Sequence, residues 1–272
     1  MEPVTITLVI QGNLKYPFDL EYIQKWDSKI FKIVGTERVE SLPNSGFVPS
    51  GYSDQELVAI FTPSGRSDLT LAIVGAQLEL NFYARMPPTG VVVLSLFEMG
   101  DILNRENHTV ETFVLRCLYA LVLAYVECGR SLSLTRALQL HHDEPRGCLY
   151  DFNQAKVETV RSLDRPKLRA DCLARLGHRQ IDASFVPALI EELKRIRKGR
   201  YYRILDWARK NPSRPFCWRH CGWLSLTWPL TWLMTCARLS LAPRLTIRLP
   251  TQAHNRRQIR TPAIQSIEVG AI

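Results

Sequence analysis

The run Val91-Val92-Val93-Leu94-Ser95-Leu96 shows almost no polar face to water. A strand of this kind must be covered on both sides, which points to the interior of a sheet flanked by other layers. The next apolar segment has a different period. Val110, Phe113, Val114, Cys117, Leu118, Leu121, Tyr125 and Cys128 fall at helical spacing, with Thr109 as N-cap, Glu111 in the first turn and Gly129 as the stop. Only the 14 residues Phe113 to Val126 are nearly all apolar, and Arg116 interrupts them. A membrane span needs about 20 such residues, so this helix belongs in a core.

Other strands precede it. Val4 to Ile10 alternates and stops at Gly12-Asn13, and Leu69 to Val74 is a second apolar run. Leu57 to Phe61 and Leu78 to Tyr83 also read as strands, with a helix over Asp19 to Phe31 and a long loop through Pro43, Asn44, Gly46, Pro49 and Gly51. A later helix opens at Ser184, with Phe185, Leu189, Leu193 and Ile196 on one face, and continues past Gly199 to Lys210. The fold class that follows is α/β (α+β): a mixed sheet with a buried central helix over 1–180, a basic amphipathic helix over 184–210, and a poorly specified tail over 211–272.

The charge is divided. From Lys194 to the end there are 16 Lys and Arg against two acids, and the preceding part holds 19 bases against 24 acids. Ten of the positive charges fall between Lys194 and Arg219, interleaved with Tyr201, Tyr202, Trp207 and Trp218. Three readings compete for this end. Residues 221–237 are uncharged and contain three tryptophans, which suits a short membrane segment with basic residues on its cytoplasmic side. The basic stretch 194–219 could neutralise phosphates while its aromatics stack on bases, as in a nucleic-acid-binding adaptor. Alternatively, the tail lacks lysine after Lys210 and is rich in Trp, Arg, Pro and Ser, the composition of a translation whose frame was lost, with the native C-terminus missing.

The N-terminus has no basic region or cleavage pattern, and the seven cysteines are odd in number and irregularly spaced. Reduced thiols in a cytoplasmic domain, attached to the cytoplasmic face of the membrane through the tail, are expected. No phosphate loop, dinucleotide fingerprint or Gly-x-Ser-x-Gly elbow appears. The densest set of ligand types is His141-His142-Asp143-Glu144-Pro145-Arg146-Gly147-Cys148, followed by Cys172. Histidine and thiolate are natural zinc ligands, and His141 or His142 with Cys148 and Cys172 supplies three. Two buried thiols beside a surface histidine pair are the alternative. Asp143 and Glu144 read as solvated loop acids.

The segment 91–176 resembles a group of prokaryotic proteins with a His-x-x-Thr-Arg-Gly-Cys-Leu-Phe-Asp-Phe-Asn core and a later Cys-x-x-Cys. Here the core is His142-Asp143-Glu144-Pro145-Arg146-Gly147-Cys148-Leu149-Tyr150-Asp151-Phe152-Asn153, and Lys156 also fits. The order of parts is similar to the C-terminal half of the archaemetzincin metalloproteases. The resemblance implies a zincin-like fold with a zinc site at the cysteine-rich turn. No His-Glu-x-x-His occurs in the sequence, and Arg169 stands where the first cysteine of Cys-x-x-Cys would be. The implied role is a non-catalytic, metalloprotease-like interaction module with a residual zinc site at His142, Cys148 and Cys172, with His141 beside it. A zinc-dependent metallopeptidase and a nucleic-acid-binding adaptor are the alternatives.

If the frame was lost after Lys210, limited proteolysis of the purified chain should remove residues 211–272 and leave the rest. Protection of that segment would contradict frame loss.

Overall fold

The computed structural model describes residues 2–46, 51–63, 65–142, 147–179 and 181–211. The expectations for residues 221–237, for frame loss after Lys210 and for Asp143 and Glu144 lie outside the described residues. Five strands form one mixed sheet: β1 (Val4–Gln11), β2 (Phe31–Val39), β3 (Leu69–Val74), β4 (Ala84–Arg85) and β5 (Val91–Ser95). Their order is β2-β1-β3-β5-β4. The first four in that order run parallel, and β4 pairs antiparallel at the edge.

Both faces of the sheet are covered, as the apolar run over 91–96 requires. Val4, Ile6, Leu8, Leu71, Ile73, Val92 and Leu94 point into the larger core cluster. Val9, Ala72, Val74, Val91 and Val93 point into the smaller one, with Leu57 and Phe61. The larger cluster is centred on α4 (Val110–Glu127), where 15 of the 18 residues are buried. A helix apolar on all sides is one enclosed by its own domain. No single helix among the described residues is long and apolar enough to cross a membrane, although the bent pair of α3 (Met99–Arg105) and α4 passes by composition. Thr109 caps α4 by accepting from the Thr112 amide. Gly129, at φ +75°, ends it, and the Arg130 amide bonds back to Tyr125 at 2.9 Å.

Several expectations are corrected. Leu57 to Phe61 is no strand: α2 (Asp54–Ile60) contains most of it, nucleated by a reciprocal capping box between Ser53 and Glu56. Leu78 to Tyr83 forms a 3₁₀ turn over Glu79–Asn81, because Leu80 and Asn81 adopt positive φ and break the extended run. The helix expected over Asp19 to Phe31 is confined to α1 (Leu20–Gln24). β2 replaces its last residue and continues through a stretch that reads as polar, because an edge strand needs only one buried face. The single helix expected over 184–210 is two, α7 (Phe185–Leu193) and α8 (Arg200–Lys210), with Gly199 as the extended N-cap between them. Two further helices, α5 (Leu134–Leu140) and α6 (Ala170–Gly177), frame the ligand-rich segment.

His108 sits just before the α4 cap and is 5% exposed. Its Nδ1 makes no hydrogen bond. Burial, and then the nearby Lys198 charge, push its pKa down to about 4. An unfolded histidine titrates near 6.5, so between about pH 6.5 and 4 the unfolded chain binds more protons and stability falls as pH falls. Going from pH 7 to 5 should cost roughly 1–2 kcal/mol through this group. Urea midpoints of the wild type and His108→Gln at the two pH values check this: the variant should lose part of the pH dependence. Equal slopes would exclude His108 as its source.

Candidate metal centre

The chain enters the site at the end of α5. His141 is the C-cap, and its Nδ1 lies 2.7 Å from the Ala137 carbonyl. Its ring packs edge-on to Tyr150 and Phe152, and burial lowers its pKa. His141 is therefore committed to the helix end and stands outside the ligand cluster. His142 leaves in the extended direction and forms a parallel bridge with Asp151: its amide donates to Tyr150 O at 3.0 Å, and Phe152 N donates back to His142 O at 2.9 Å. Cys148 forms a second bridge with Lys167, and Leu149 N reaches Lys167 O at 2.9 Å. That pairing delivers the chain to α6, whose first turn carries Cys172.

The ligand atoms of His142, Cys148 and Cys172 all lie within 4.8 Å of one another. The two sulfurs are 3.9 Å apart. A disulfide would need about 2.05 Å. The edge of a tetrahedron with metal–sulfur bonds of about 2.3 Å is ~3.8 Å, so the thiols are spaced as two zinc ligands would be. Neither ring nitrogen of His142 completes a hydrogen bond, although Nδ1 lies 3.3 Å from Asp151 Oδ1. A carboxylate behind an imidazole is the usual orienting partner of a metal-bound histidine. Both cysteines are buried, and burial, followed by the neighbouring Cys148, pushes the Cys172 thiol up to about 11. Without a cation this thiol is neutral at pH 7, and a divalent ion would reverse that preference. The donor set thus fits zinc.

Asp151 also shapes the turn. Its Oδ2 accepts from the amides of Gly147 at 2.6 Å and Cys148 at 2.9 Å. Gly147 has φ +84°, and a Cβ there would meet the Arg161 carbonyl at 2.9 Å, so only glycine fits. Behind the turn, Glu127 of α4 accepts a hydrogen bond from the Tyr150 hydroxyl. It also pairs with Arg175 Nε at 2.6 Å. Arg175 continues to Leu140 O at 3.3 Å and lies over the Tyr150 ring. Burial and Glu127 raise the Tyr150 pKa far above the usual phenol range. α4, α5, α6 and the turn are thereby joined through one ion pair, its carboxylate buried and its guanidinium half-buried.

The fourth ligand position has no protein donor among the described residues. Arg169 is the N-cap of α6, and its Nε pairs with Asp171 at 3.2 Å. Lys156, which matched the resemblance, is directed elsewhere, to Asn81 Oδ1 and Phe97 O, both at 2.7 Å. The Glu127–Tyr150–Arg175 support escaped the sequence reading. Its one sequence signal is an acid ending an otherwise apolar helix.

No family model matches the chain, and no curated protein does. Two solved structures are similar to it at low identity. Archaemetzincin (amzA) from Methanopyrus kandleri is 16% identical with a TM-score of 0.42, covering 65% of this chain and 97% of that one. A zinc-dependent peptidase from Methanocorpusculum labreanum (strain Z) is 15% identical with a TM-score of 0.32, covering 63% and 99%.

Gly147→Ala is expected to lower stability by roughly 1–3 kcal/mol, through both the positive φ and the clash with Arg161 O. Urea denaturation measures it, and an unchanged midpoint would mean that the turn relaxes freely.

Proposed function

We propose that the chain is a zinc-binding α/β module, with His142, Cys148 and Cys172 holding one ion, and that it acts through interaction rather than hydrolysis. The observation that carries this reading is the meeting of two buried thiols at tetrahedral spacing with a histidine whose ring nitrogens lack hydrogen bonds. Zinc bound there would supply a Lewis-acidic centre and a cross-link between three segments. The protein's own part is clear. Asp151 stands 3.3 Å from the imidazole, in position to orient it, and holds the turn, and Glu127 with Arg175 keeps α6 against α4. Among the described residues, Asp151 and Glu127 are thus committed to structure, and the sequence has no His-Glu-x-x-His to furnish a general base.

A second reading, a zinc-dependent metallopeptidase, is favoured by the open fourth position, the ligand count of a catalytic site. The names of the two similar structures agree with it.

Elemental analysis of the full chain, with Cys148→Ser and His142→Ala beside it, tests the zinc site. About one zinc per chain is expected, with loss in Cys148→Ser, a lower thermal midpoint after chelation, and weaker retention as pH falls because protons compete for the ligands. Absence of metal from the wild type would end this reading. Casein hydrolysis by the zinc-loaded chain, lost in Cys148→Ser, would replace the module with the peptidase.

A further inference from the structure

A cavity of about 200 Å³ lies between the edge strand β4, α4 and α5. Its wall is largely apolar and includes Met86, Leu94, Ala120, Leu121 and Leu138. Two cations line it. Arg85 is committed to Asp54 at 2.8 Å and Glu79 at 2.9 Å. Arg116, on α4, is different.

Arg116 is 3% exposed. Its Nε donates to Ser162 Oγ at 3.0 Å and its Nη2 to Leu149 O at 3.3 Å. The Tyr83 hydroxyl and the Cys117 thiol are further hydrogen-bonding neighbours, and the His141 imidazole, kept neutral by burial, also faces it. All of these groups are neutral, and no carboxylate among the described residues pairs with it. The other buried cation among them, Lys156, has Glu98 at 3.7 Å. A guanidinium cannot shed its proton, and a buried charge without a counter-charge is strongly unfavourable. Such a group on the wall of an apolar cavity is satisfied when its counter-charge arrives with a ligand, and its planar fork matches a carboxylate.

We propose that this cavity binds a small monocarboxylate with an apolar body, its carboxylate paired with Arg116. An empty apolar cavity of about 150 Å³ holds benzene, so the body is on the order of six to ten non-hydrogen atoms. A single negative charge is favoured over a dianion because Asp151 also lines the cavity. The site shares no zinc ligand with the metal centre, and the two are joined through Asp151, which lines the cavity and stands behind His142.

The test is calorimetric titration of the full chain with benzoate and with benzyl alcohol, which has the same ring and no charge. Benzoate should bind at least about tenfold more tightly, the difference a charge-assisted pair supplies. Arg116→Met should erase the preference. The apolar replacement removes a buried charge, so the fold should survive. Ala120→Met should fill the cavity and abolish both ligands while leaving Arg116 in place. N-acetyl-alanyl-phenylalanine distinguishes the source of the carboxylate: tighter binding than benzoate assigns the site to a peptide C-terminus, and weaker binding assigns it to a free acid. No benzoate binding at millimolar concentration, equal binding of benzyl alcohol, or an unchanged preference in Arg116→Met would overturn the proposal.

Discussion

The enclosure of α4 by the sheet on one side and by the later helices on the other organises the domain. Phe113, Leu118, Val122 and Leu123 are fully buried, and each such side chain contributes roughly 1.5–3 kcal/mol relative to exposure. A helix so enclosed cannot turn polar residues toward solvent, so each one it carries needs an internal partner. Tyr119 meets Glu192 of α7 at 2.7 Å and accepts from the Trp26 indole at 2.8 Å. Glu127 meets Arg175 and Tyr150. The position of α7, α6 and the cysteine-bearing turn thus follows from the polar side chains of one apolar helix.

The two buried charges of that helix have opposite circumstances. Glu127 is fully compensated and acts as a joint between elements. Arg116, about three turns earlier, is held only by neutral acceptors. Their separation divides the region into an end that carries the candidate metal ligands Cys148 and Cys172 and a cationic cavity near β4. The same turn serves both, since Leu149 supplies a carbonyl to Arg116 while Cys148 faces Cys172.

Periodicity made β1, β3, β5 and α4 legible, because each either alternates or is apolar throughout. The Leu57 to Phe61 run is too short for its period to distinguish helix from strand. The deciding signal was Ser53 with Glu56, a local hydrogen-bond pattern outside the apolar residues. β2 was hidden by Lys32, Glu37 and Arg38, which an edge strand tolerates. In the site, the types and spacing of His142, Cys148 and Cys172 could be read directly. The choice between His141 and His142 could not, because it depends on where α5 ends and on a carboxylate nine residues away. Arg175 and Tyr150 become part of the site only through Glu127, a contact that exists in three dimensions alone.

The brevity of β4 has a consequence for solubility. Its two residues are the only strand residues paired with the outer edge of β5 among the described residues, and Val91-Val92-Val93 of β5 is uncharged and strongly β-forming. Segments of that composition are templates for intermolecular strand addition when their edge is open. The opposite border of the sheet is protected by the charged residues of β2, and this one by a pair of residues and the Arg85 ion pairs to Asp54 and Glu79. Weakening those ion pairs would uncover this border, and its expected first sign is aggregation of an otherwise folded protein.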